Sequence, residues 1–226
     1  MAKTITIAID GPAGAGKSTI ARVLAKELGY YYVDTGAIYR TVAYFLDLLG
    51  VSPKDVDGVE RYLDELTIDI QYDEEGKQHM IMNGMDVSDD IRTQDISQKA
   101  SLVSAHGIVR DMLLDMQRDV AKKHNVIMDG RDIGTVVLPK ATVKIFLTAS
   151  AEVRAQRRLD EMLAKGQKGN FNQVLADIKQ RDYQDSHRPI APLKQAKDAY
   201  LLDTSELDID GVIAAMKKIV GEKVSL

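Results

Sequence analysis

Near the start of the sequence, apolar and small residues alternate, and Ile5, Ile7 and Ile9 occupy every second position. This alternation predicts a short β-strand, and Asp10 followed by glycine predicts a turn at its end. Apolar residues then recur at helical spacing over residues 17–28, and a glycine follows them directly. We therefore expect a strand, a tight turn and a helix in this order.

The same change between strand and helix patterns continues along most of the chain. We expect further strands at 31–33, 126–128, 143–147 and 199–202, and helices at about 38–49, 94–123, 151–165, 172–187 and 209–220. Strands that alternate with helices predict a parallel sheet covered by helices on both faces. The predicted fold class is therefore α/β.

Residues 66–90 follow a different pattern. Ile68, Ile70 and Tyr72 alternate with polar residues, the sequence DEEGK follows, and Asn83-Gly84 interrupts a second apolar run. Asn-Gly between two alternating runs is a strong hairpin signal. This segment predicts a small antiparallel β unit inserted into the α/β chain.

Composition and charge narrow the possible functions. The chain has 226 residues, a net charge of −4 and no cysteine. A negative net charge argues against nucleic-acid binding, and the absence of cysteine excludes disulfides and thiolate metal sites. No signal peptide and no apolar run of membrane-spanning length is visible. We expect a single-domain, monomeric cytoplasmic protein that binds neither nucleic acid nor membrane.

The sequence GPAGAGKST lies between the first strand and the first helix. The phosphate-binding pattern G-x-x-x-x-G-K-[ST] is matched by Gly11, Gly16, Lys17 and Ser18. Such a loop holds a nucleoside triphosphate through backbone N–H groups, the helix N-terminus and the lysine. The predicted ATP site, called the phosphate loop below, comprises Gly11, Pro12, Ala13, Gly14, Ala15, Gly16, Lys17, Ser18 and Thr19.

The phosphate loop does not identify the acceptor, because GTPases, motors, transport ATPases and kinases all use it. The chain lacks an N-K-x-D sequence for guanine recognition, which weakens the GTPase interpretation. A glycine-rich turn with an exposed lysine is the alternative without function. In the functional interpretation, Lys17 reaches the β- and γ-phosphates, and the Ser18 or Thr19 hydroxyl lies near Mg²⁺.

The sequence VDTGAIYR follows the second predicted strand and contains the second candidate site. Its Thr35 hydroxyl and Arg40 are suited to holding a phosphorylated small molecule. The alternative is a capped helix start, with Asp34 or Thr35 as the cap and Arg40 in solvent. The sequence leaves both open.

The sequence DGRDIGT follows another short apolar strand. Asp129 at the strand end is placed to contact the shell of a Mg²⁺ ion. Arg131 would project from the carboxyl edge of the sheet, where open α/β sheets bind their ligands. The alternative is a surface turn with a local Arg–Asp pair.

Basic residues recur late in the chain. Arg181, Asp185 and Arg188 are spaced to share one helix face, which also suits a solvated helix with salt bridges. Next to an ATP site, however, guanidinium groups offset the charge of the transferred phosphoryl group and of an acceptor phosphate. Arg154, Arg157 and Arg158 precede the loop 166–170, which we expect to be mobile.

These motifs, together with VSAHGIVR, KIFLTAS and IKQRDYQDSHRPIAPL, occur in the order found in bacterial cytidylate kinases, which the chain resembles over essentially its whole length. Members transfer the γ-phosphate of ATP to CMP or dCMP with Mg²⁺. The resemblance implies a P-loop nucleoside monophosphate kinase fold in a single domain, 1–226. It places the monophosphate-binding part at about 35–100, with the inserted unit at 66–90, and a lid at about 153–170.

The resemblance also implies roles for individual residues. Around the CMP phosphate it places Thr35, Arg40, Arg131 and Arg188. Facing the cytosine it places Ser101, Arg110 and Asp132, and at the ribose hydroxyls Asp185 and Arg181. Arg157 and Arg158 would belong to the lid over ATP. The catalytic residues would be Lys17, Arg131, Arg157 and Arg188. The motifs themselves, and not the resemblance, predict Ser18 as a metal ligand and Asp129 in the outer shell of the metal; some members of the family carry Gly where this chain has Ser18.

Two alternatives remain at this stage. The first is another P-loop kinase with a different acceptor, such as a UMP/CMP, adenylate or shikimate kinase. The second is a nucleotide-gated switch, which would hydrolyse ATP slowly without any response to an acceptor.

Overall fold

The structure is a computed structural model that describes residues 4–224. Its strands are β1 (Thr6–Asp10), β2 (Tyr31–Asp34), β3 (Ile68–Tyr72), β4 (Gln78–Met82), β5 (Met85–Asp86), β6 (Val126–Gly130), β7 (Val143–Thr148) and β8 (Tyr200–Asp203). Its α-helices are α1 (Lys17–Leu28), α2 (Thr35–Leu48), α3 (Val56–Leu63), α4 (Gln94–Val103), α5 (Gly107–Lys123), α6 (Ala151–Ala164), α7 (Phe171–His187) and α8 (Ile209–Gly221).

The main sheet has five parallel strands in the order β2-β6-β1-β7-β8. Its two faces bury different residues of the same strand: Ile7 and Ile9 of β1 pack with α1 and α8, whereas Ala8 belongs to the core formed with α2, α4 and α5. The parallel sheet with helices on both faces is therefore confirmed.

The inserted unit is also confirmed. Strands β3, β4 and β5 form a separate antiparallel sheet, and Asn83 and Gly84 both have positive φ at the turn between β4 and β5. The unit is attached to the main sheet by side chains. The Tyr72 hydroxyl donates to Tyr32 O at 3.0 Å, and Gln78 Oε1 accepts from Asp34 N at 2.7 Å.

Two predicted helices differ in their bounds from the observed ones, and one observed helix was not predicted. Helix α2 begins at Thr35 rather than near residue 38, because the Asp34 side chain accepts from Ala37 N and caps it there. Helix α3 was not predicted. It is only eight residues long, about two turns, which is too short a segment for its apolar positions to indicate a helix on their own.

The predicted helix 94–123 is two helices, α4 and α5. His106 has an extended backbone between them, and its ring hydrogen-bonds to Pro53 O at 2.7 Å. The apolar period continues through the break, because Val103 and Val109 enter the same core. For this reason the hydrophobic pattern did not reveal the interruption.

The turn after β1 has no room for a side chain at Gly11. This glycine has a φ of +150°, and a Cβ there would lie 1.9 Å from the carbonyl oxygen of Leu147 in β7. We expect Gly11→Ala to lower the free energy of unfolding by about 1–3 kcal/mol, the usual cost of overpacking. Denaturant unfolding measures this. Gly29→Ala is the control, because Gly29 also has positive φ but has open space around it. Equal losses in both variants would show that the contact with Leu147 is unimportant.

Within residues 4–224, none of the helices is both long and apolar enough to cross a lipid bilayer.

Candidate active site

One cleft of about 660 Å³ opens at the carboxyl ends of β1, β2 and β6. The phosphate loop forms one side, and the start of α2 and the loop after β6 form another. Helices α4, α6 and α7 complete the walls. Most of the sequence-predicted site residues line this cleft: Ala13, Gly14, Lys17, Ser18, Thr35, Arg40, Ser101, Asp129, Arg131, Asp132, Arg158, Arg181, Asp185 and Arg188.

The phosphate loop has the backbone that its glycines predict. Gly14 and Gly16 have φ values of +75° and +86°, and Gly16 is the N-cap of α1. Lys17 is buried, and its Nζ donates to Pro12 O at 2.8 Å. Burial, followed by the nearby charge of Arg131, lowers the pKa of Lys17 to about 7. A bound polyphosphate would reverse this effect, because negative charge favours the ammonium form.

A serine, a tyrosine and a carboxylate meet at the end of β6. Ser18 Oγ donates to Asp129 Oδ2 at 2.9 Å, and the Tyr32 hydroxyl donates to Oδ1 at 2.8 Å. Burial, followed by the charge of Asp34, raises the pKa of Asp129. Hydroxyl and carboxylate oxygens are ligands that suit Mg²⁺.

The described residues contain no cluster of three or more His, Cys, Asp or Glu side chains arranged to hold a metal. Mg²⁺ is usually held by one or two protein oxygens, and phosphates and water supply the rest. The residues that fit such an ion are Ser18 and Asp129.

The structure shows how α2 begins in the segment VDTGAIYR and where Arg40 lies. Asp34 is the cap, and Arg40 is not free in solvent, because its Nη2 donates to Asp34 Oδ2 at 2.9 Å. Burial alone would raise the pKa of Asp34, but Arg40 and the Ala37 N–H hold it below its usual range. Arg40 therefore lies in the cleft wall with a fixed orientation.

Asp132 lies between two arginines. Arg188 Nη2 donates to Asp132 Oδ1 at 3.0 Å, and Arg110 donates to Oδ2. Arg110 also packs over the Tyr39 ring at 5.6 Å and donates to Ser104 O at 3.2 Å. Arg110 lines a second cavity, of about 150 Å³, and its contacts with the residues that line the cleft are those with Asp132, Ser104 and Tyr39.

Asp185 on α7 pairs with the loop after β6. Arg131 Nε donates to Asp185 Oδ2 at 2.8 Å, and the Ser101 hydroxyl lies 3.5 Å from Oδ1. Burial alone would raise the pKa of Asp185, but Arg131 and Arg181 outweigh it and hold this pKa low. The structure thus brings Arg131, Arg181 and Asp185 together.

The structure separates the two arginines expected in the lid. Arg158 lines the cleft. Arg157 points away from it, and its guanidinium donates to Thr204 Oγ1 at 3.1 Å and to Thr204 O at 2.7 Å.

Comparisons with known proteins agree with this geometry. The cytidylate kinase family model matches residues 7–222. The chain belongs to the cytidylate kinase family.

Two relatives show how complete the match is. A cytidylate kinase from Exiguobacterium sp. is 47% identical over 222 residues, which cover 98% of this chain and 99% of that protein. A cytidylate kinase from Carboxydothermus hydrogenoformans is 49% identical over 217 residues, with 96% and 97% covered. The resemblance found in the sequence is confirmed, and the protein is a nucleotide-binding kinase.

A solved structure supports the fold alone. An uncharacterized protein from Eubacterium ventriosum superimposes with a TM-score of 0.52 at 14% identity, covering 96% of this chain and 99% of that one.

The sequence assigned no role in the site to three further side chains. Asp10 is buried and accepts from Ile133 N and Gly134 N, both at 2.7 Å, so β1 holds the loop that carries Asp132. Burial raises the pKa of Asp10 to about 6, although both N–H groups oppose the shift. Its position directly before the phosphate loop was the available signal.

The other two are Gln78 and Arg154. Gln78 lines the cleft and holds the backbone of Asp34, but a glutamine in an inserted hairpin carries no signal in a single sequence. Arg154 was visible only as one of several arginines in its helix. Its contacts emerge from the folded chain.

Proposed function

We propose that the protein transfers the γ-phosphoryl group of ATP to CMP or dCMP, and so forms ADP and CDP or dCDP. Membership of the cytidylate kinase family supports phosphoryl transfer from ATP to CMP. The observation that supports the proposal is a group of arginine side chains in the cleft that the phosphate loop lines. Some of their N–H donors have no hydrogen-bond partner among the described residues.

Three guanidinium groups gather there. Burial, then Arg131, and further on Arg40, lower the pKa of Arg181 to about 10. Among the described residues, Arg40 Nε and Arg181 Nε are buried and have no hydrogen-bond partner. Buried charged donors without partners are costly. An acceptor phosphate would supply both the missing partners and the opposite charge.

The proposed chemistry needs positioning and positive charge more than acid–base catalysis. The attacking atom is an oxygen of the CMP phosphate, which is already an anion, so no general base is required. Lys17 would hold the β- and γ-phosphates, while Arg131 and Arg188 would offset charge on the transferred group. Thr35 and Arg40 would orient the acceptor phosphate.

The arginine partners suggest how the site changes when CMP binds. Arg131 now pairs with Asp185, and Arg188 with Asp132. We propose that the ribose hydroxyls bind Asp185 with help from Arg181, and that the base reaches Ser101 and Asp132, with Arg110 holding Asp132 from behind. Arg131 and Arg188 could then turn towards phosphate.

We propose that Ser18 holds Mg²⁺ with ATP and that Asp129 contacts its outer shell. When bound, the ion would offset negative charge on the phosphates of ATP. In this structure the Asp129 carboxylate accepts the Ser18 hydroxyl hydrogen, which leaves the lone pairs of Ser18 Oγ for a cation.

We also propose a lid at about 153–170 that closes over ATP and excludes water. Arg158 already lines the cleft, whereas Arg157 would leave Thr204 to reach the nucleotide. We further propose that the enzyme works as a monomer.

A panel of acceptors tests the function. ADP release from ATP is measured with CMP, dCMP, UMP, AMP and shikimate in parallel. We expect CMP and dCMP to give the highest kcat/KM. A preference for UMP, AMP or shikimate would assign a different kinase, and ADP release that no acceptor increases would indicate a nucleotide switch.

Asp132 is expected to set the choice of base. The cytosine amino group donates to a carboxylate, whereas uracil presents a carbonyl that a carboxylate repels. Such a pair discriminates by about 1–3 kcal/mol, which is roughly one to two orders of magnitude in kcat/KM. In Asp132→Asn the amide can donate to uracil, so CMP activity and the CMP-to-UMP ratio should both fall.

Steady-state kinetics with CMP and UMP decides this prediction. Asp119→Asn is the control, because Asp119 is exposed on α5 and pairs with Lys122. A folded Asp132→Asn protein with the wild-type ratio would show that Asp132 does not recognise the base.

A further inference from the structure

Arg154, in the first turn of α6, contacts three parts of the fold at once. Its Nε donates to Ala149 O at 2.9 Å, and its Nη1 donates to Ala13 O in the phosphate loop at 3.1 Å. Asp182 of α7 accepts two further bonds, from Nη1 at 3.0 Å and from Nη2 at 2.7 Å. The Arg154 side chain is 6% exposed, so these bonds are made largely out of water.

The phosphate loop also packs against this side chain. A Cβ placed on Gly14 would lie 3.3 Å from Cβ of Arg154. Asp182 directly follows Arg181 and lies one turn before Asp185. The arginine therefore connects the loop expected to hold ATP with the helix expected to hold CMP.

The contact with Ala13 O has a specific consequence for anion binding. The peptide unit between Ala13 and Gly14 is planar, and in the trans form its C=O and N–H point in opposite directions. A guanidinium that holds the carbonyl on one side thereby directs the Gly14 N–H to the other. Phosphate loops bind anions through such inward-facing N–H groups, whereas a carbonyl turned inward would repel phosphate.

We propose that Arg154, held in place by Asp182, is a positioning residue that fixes the orientation of the phosphate loop relative to α7. It does not contact either substrate. Its planar fork makes the paired bonds to Asp182 while one N–H remains on Ala13 O, and a lysine cannot reproduce this arrangement. The inference rests on the proposed function, because the loop and α7 carry the two substrates in that function.

Arg154→Lys and Asp182→Asn test the proposal in the full-length enzyme. A misplacement of about 1 Å costs about 10²-fold in rate, so we expect kcat of Arg154→Lys to fall on that order. The Kd for ADP, measured by calorimetry, should rise, and the Kd for CMP should stay at the wild-type value. A merely structural role would weaken both ligands together.

Asp182→Asn keeps the shape of the side chain at a position that is 27% exposed, so it is the variant expected to fold without difficulty. It should change kcat and the ADP affinity in the same direction. In the double variant the two losses should not add, because both act on one set of bonds. Lys179→Ala is the matched control. It removes the exposed Lys179–Glu152 ion pair, which joins the same two helices but does not include the phosphate loop. This variant should behave as wild type.

Several outcomes would overturn the proposal. They are a folded Arg154→Lys protein with wild-type kcat and ADP affinity, equal losses for ADP and CMP, additive losses in the double variant, or a similar loss in Lys179→Ala. Failure of the proposed function would be seen separately, as a wild-type protein that releases no ADP in response to CMP. ADP binding would still test the role of Arg154 in that case.

Discussion

Replacing Lys17 with alanine is expected to remove most of the kinase activity and to leave the protein folded. The ammonium group would contact the β- and γ-phosphates, where negative charge changes position during transfer. Removing one such preorganised donor costs on the order of 10²–10³-fold in kcat. Steady-state ADP release with saturating CMP measures the loss.

The pKa of Lys17 indicates that stability and activity will separate in this variant. Burial lowers this pKa from 10.5 to about 7, so the folded state binds the proton less tightly than the unfolded chain does. At pH values below about 7 the charge of Lys17 therefore opposes folding, and this penalty disappears as the pH rises towards 10.5. Alanine removes the penalty, and we do not expect Tm to fall through the loss of charge.

Lys122→Ala serves as the control for loss of a positive charge, because Lys122 is exposed and pairs with the exposed Asp119. It should retain wild-type kcat. Near-normal turnover in Lys17→Ala would mean that the phosphate loop is not the donor site, whatever happens to Tm.

Arg131→Ala and Arg188→Ala are each expected to lower kcat by on the order of 10³-fold, as the loss of an arginine finger does. Both arginines are held in the cleft by carboxylates, Arg131 by Asp185 and Arg188 by Asp132. The expected role is to offset charge in the transition state, so kcat should fall more than the affinity for CMP. Single-turnover rates and CMP binding together measure the split.

Each substitution also leaves a buried carboxylate with fewer partners, so thermal unfolding must accompany the kinetics. Arg118→Ala is the matched control. Arg118 is a half-buried arginine that donates to the carbonyls of Val136 and Val137 at 3.0 Å. It should lower Tm without a comparable loss of kcat. A rise in KM with unchanged kcat in Arg131→Ala or Arg188→Ala would instead assign that residue to ground-state binding.

The α/β architecture could be predicted from local pattern, because each strand of the main sheet is a short apolar run and the longer helices have a 3.6-residue period. The helix 17–28 was predicted with its observed ends, since a glycine stops it. The pattern was misleading over 94–123, where the break at His106 depends on a contact with Pro53 more than fifty residues away. A period of apolar residues reports which face is buried, not whether the backbone is continuous.

The candidate site divides in the same way. The motifs located the phosphate loop, Thr35, Arg40 and the DGRDIGT segment, because such sites need particular residues at short spacings along the chain. The sequence could not show that Asp34 holds Arg40, that Arg110 pairs with Asp132, or that Arg157 bonds to Thr204. The roles of these residues in catalysis stay predictions.

The sequence alone was thus enough to predict the fold class, the inserted β unit, the family and the phosphate loop. All of these depend on local pattern or on motifs in a fixed order. The pairing of each arginine was decided by tertiary structure. A guanidinium has several possible carboxylates and carbonyls within reach, and the choice among them depends on which strand ends and helices lie side by side. Arg154 illustrates this, because its partners Ala13 and Asp182 are 141 and 28 residues away in sequence.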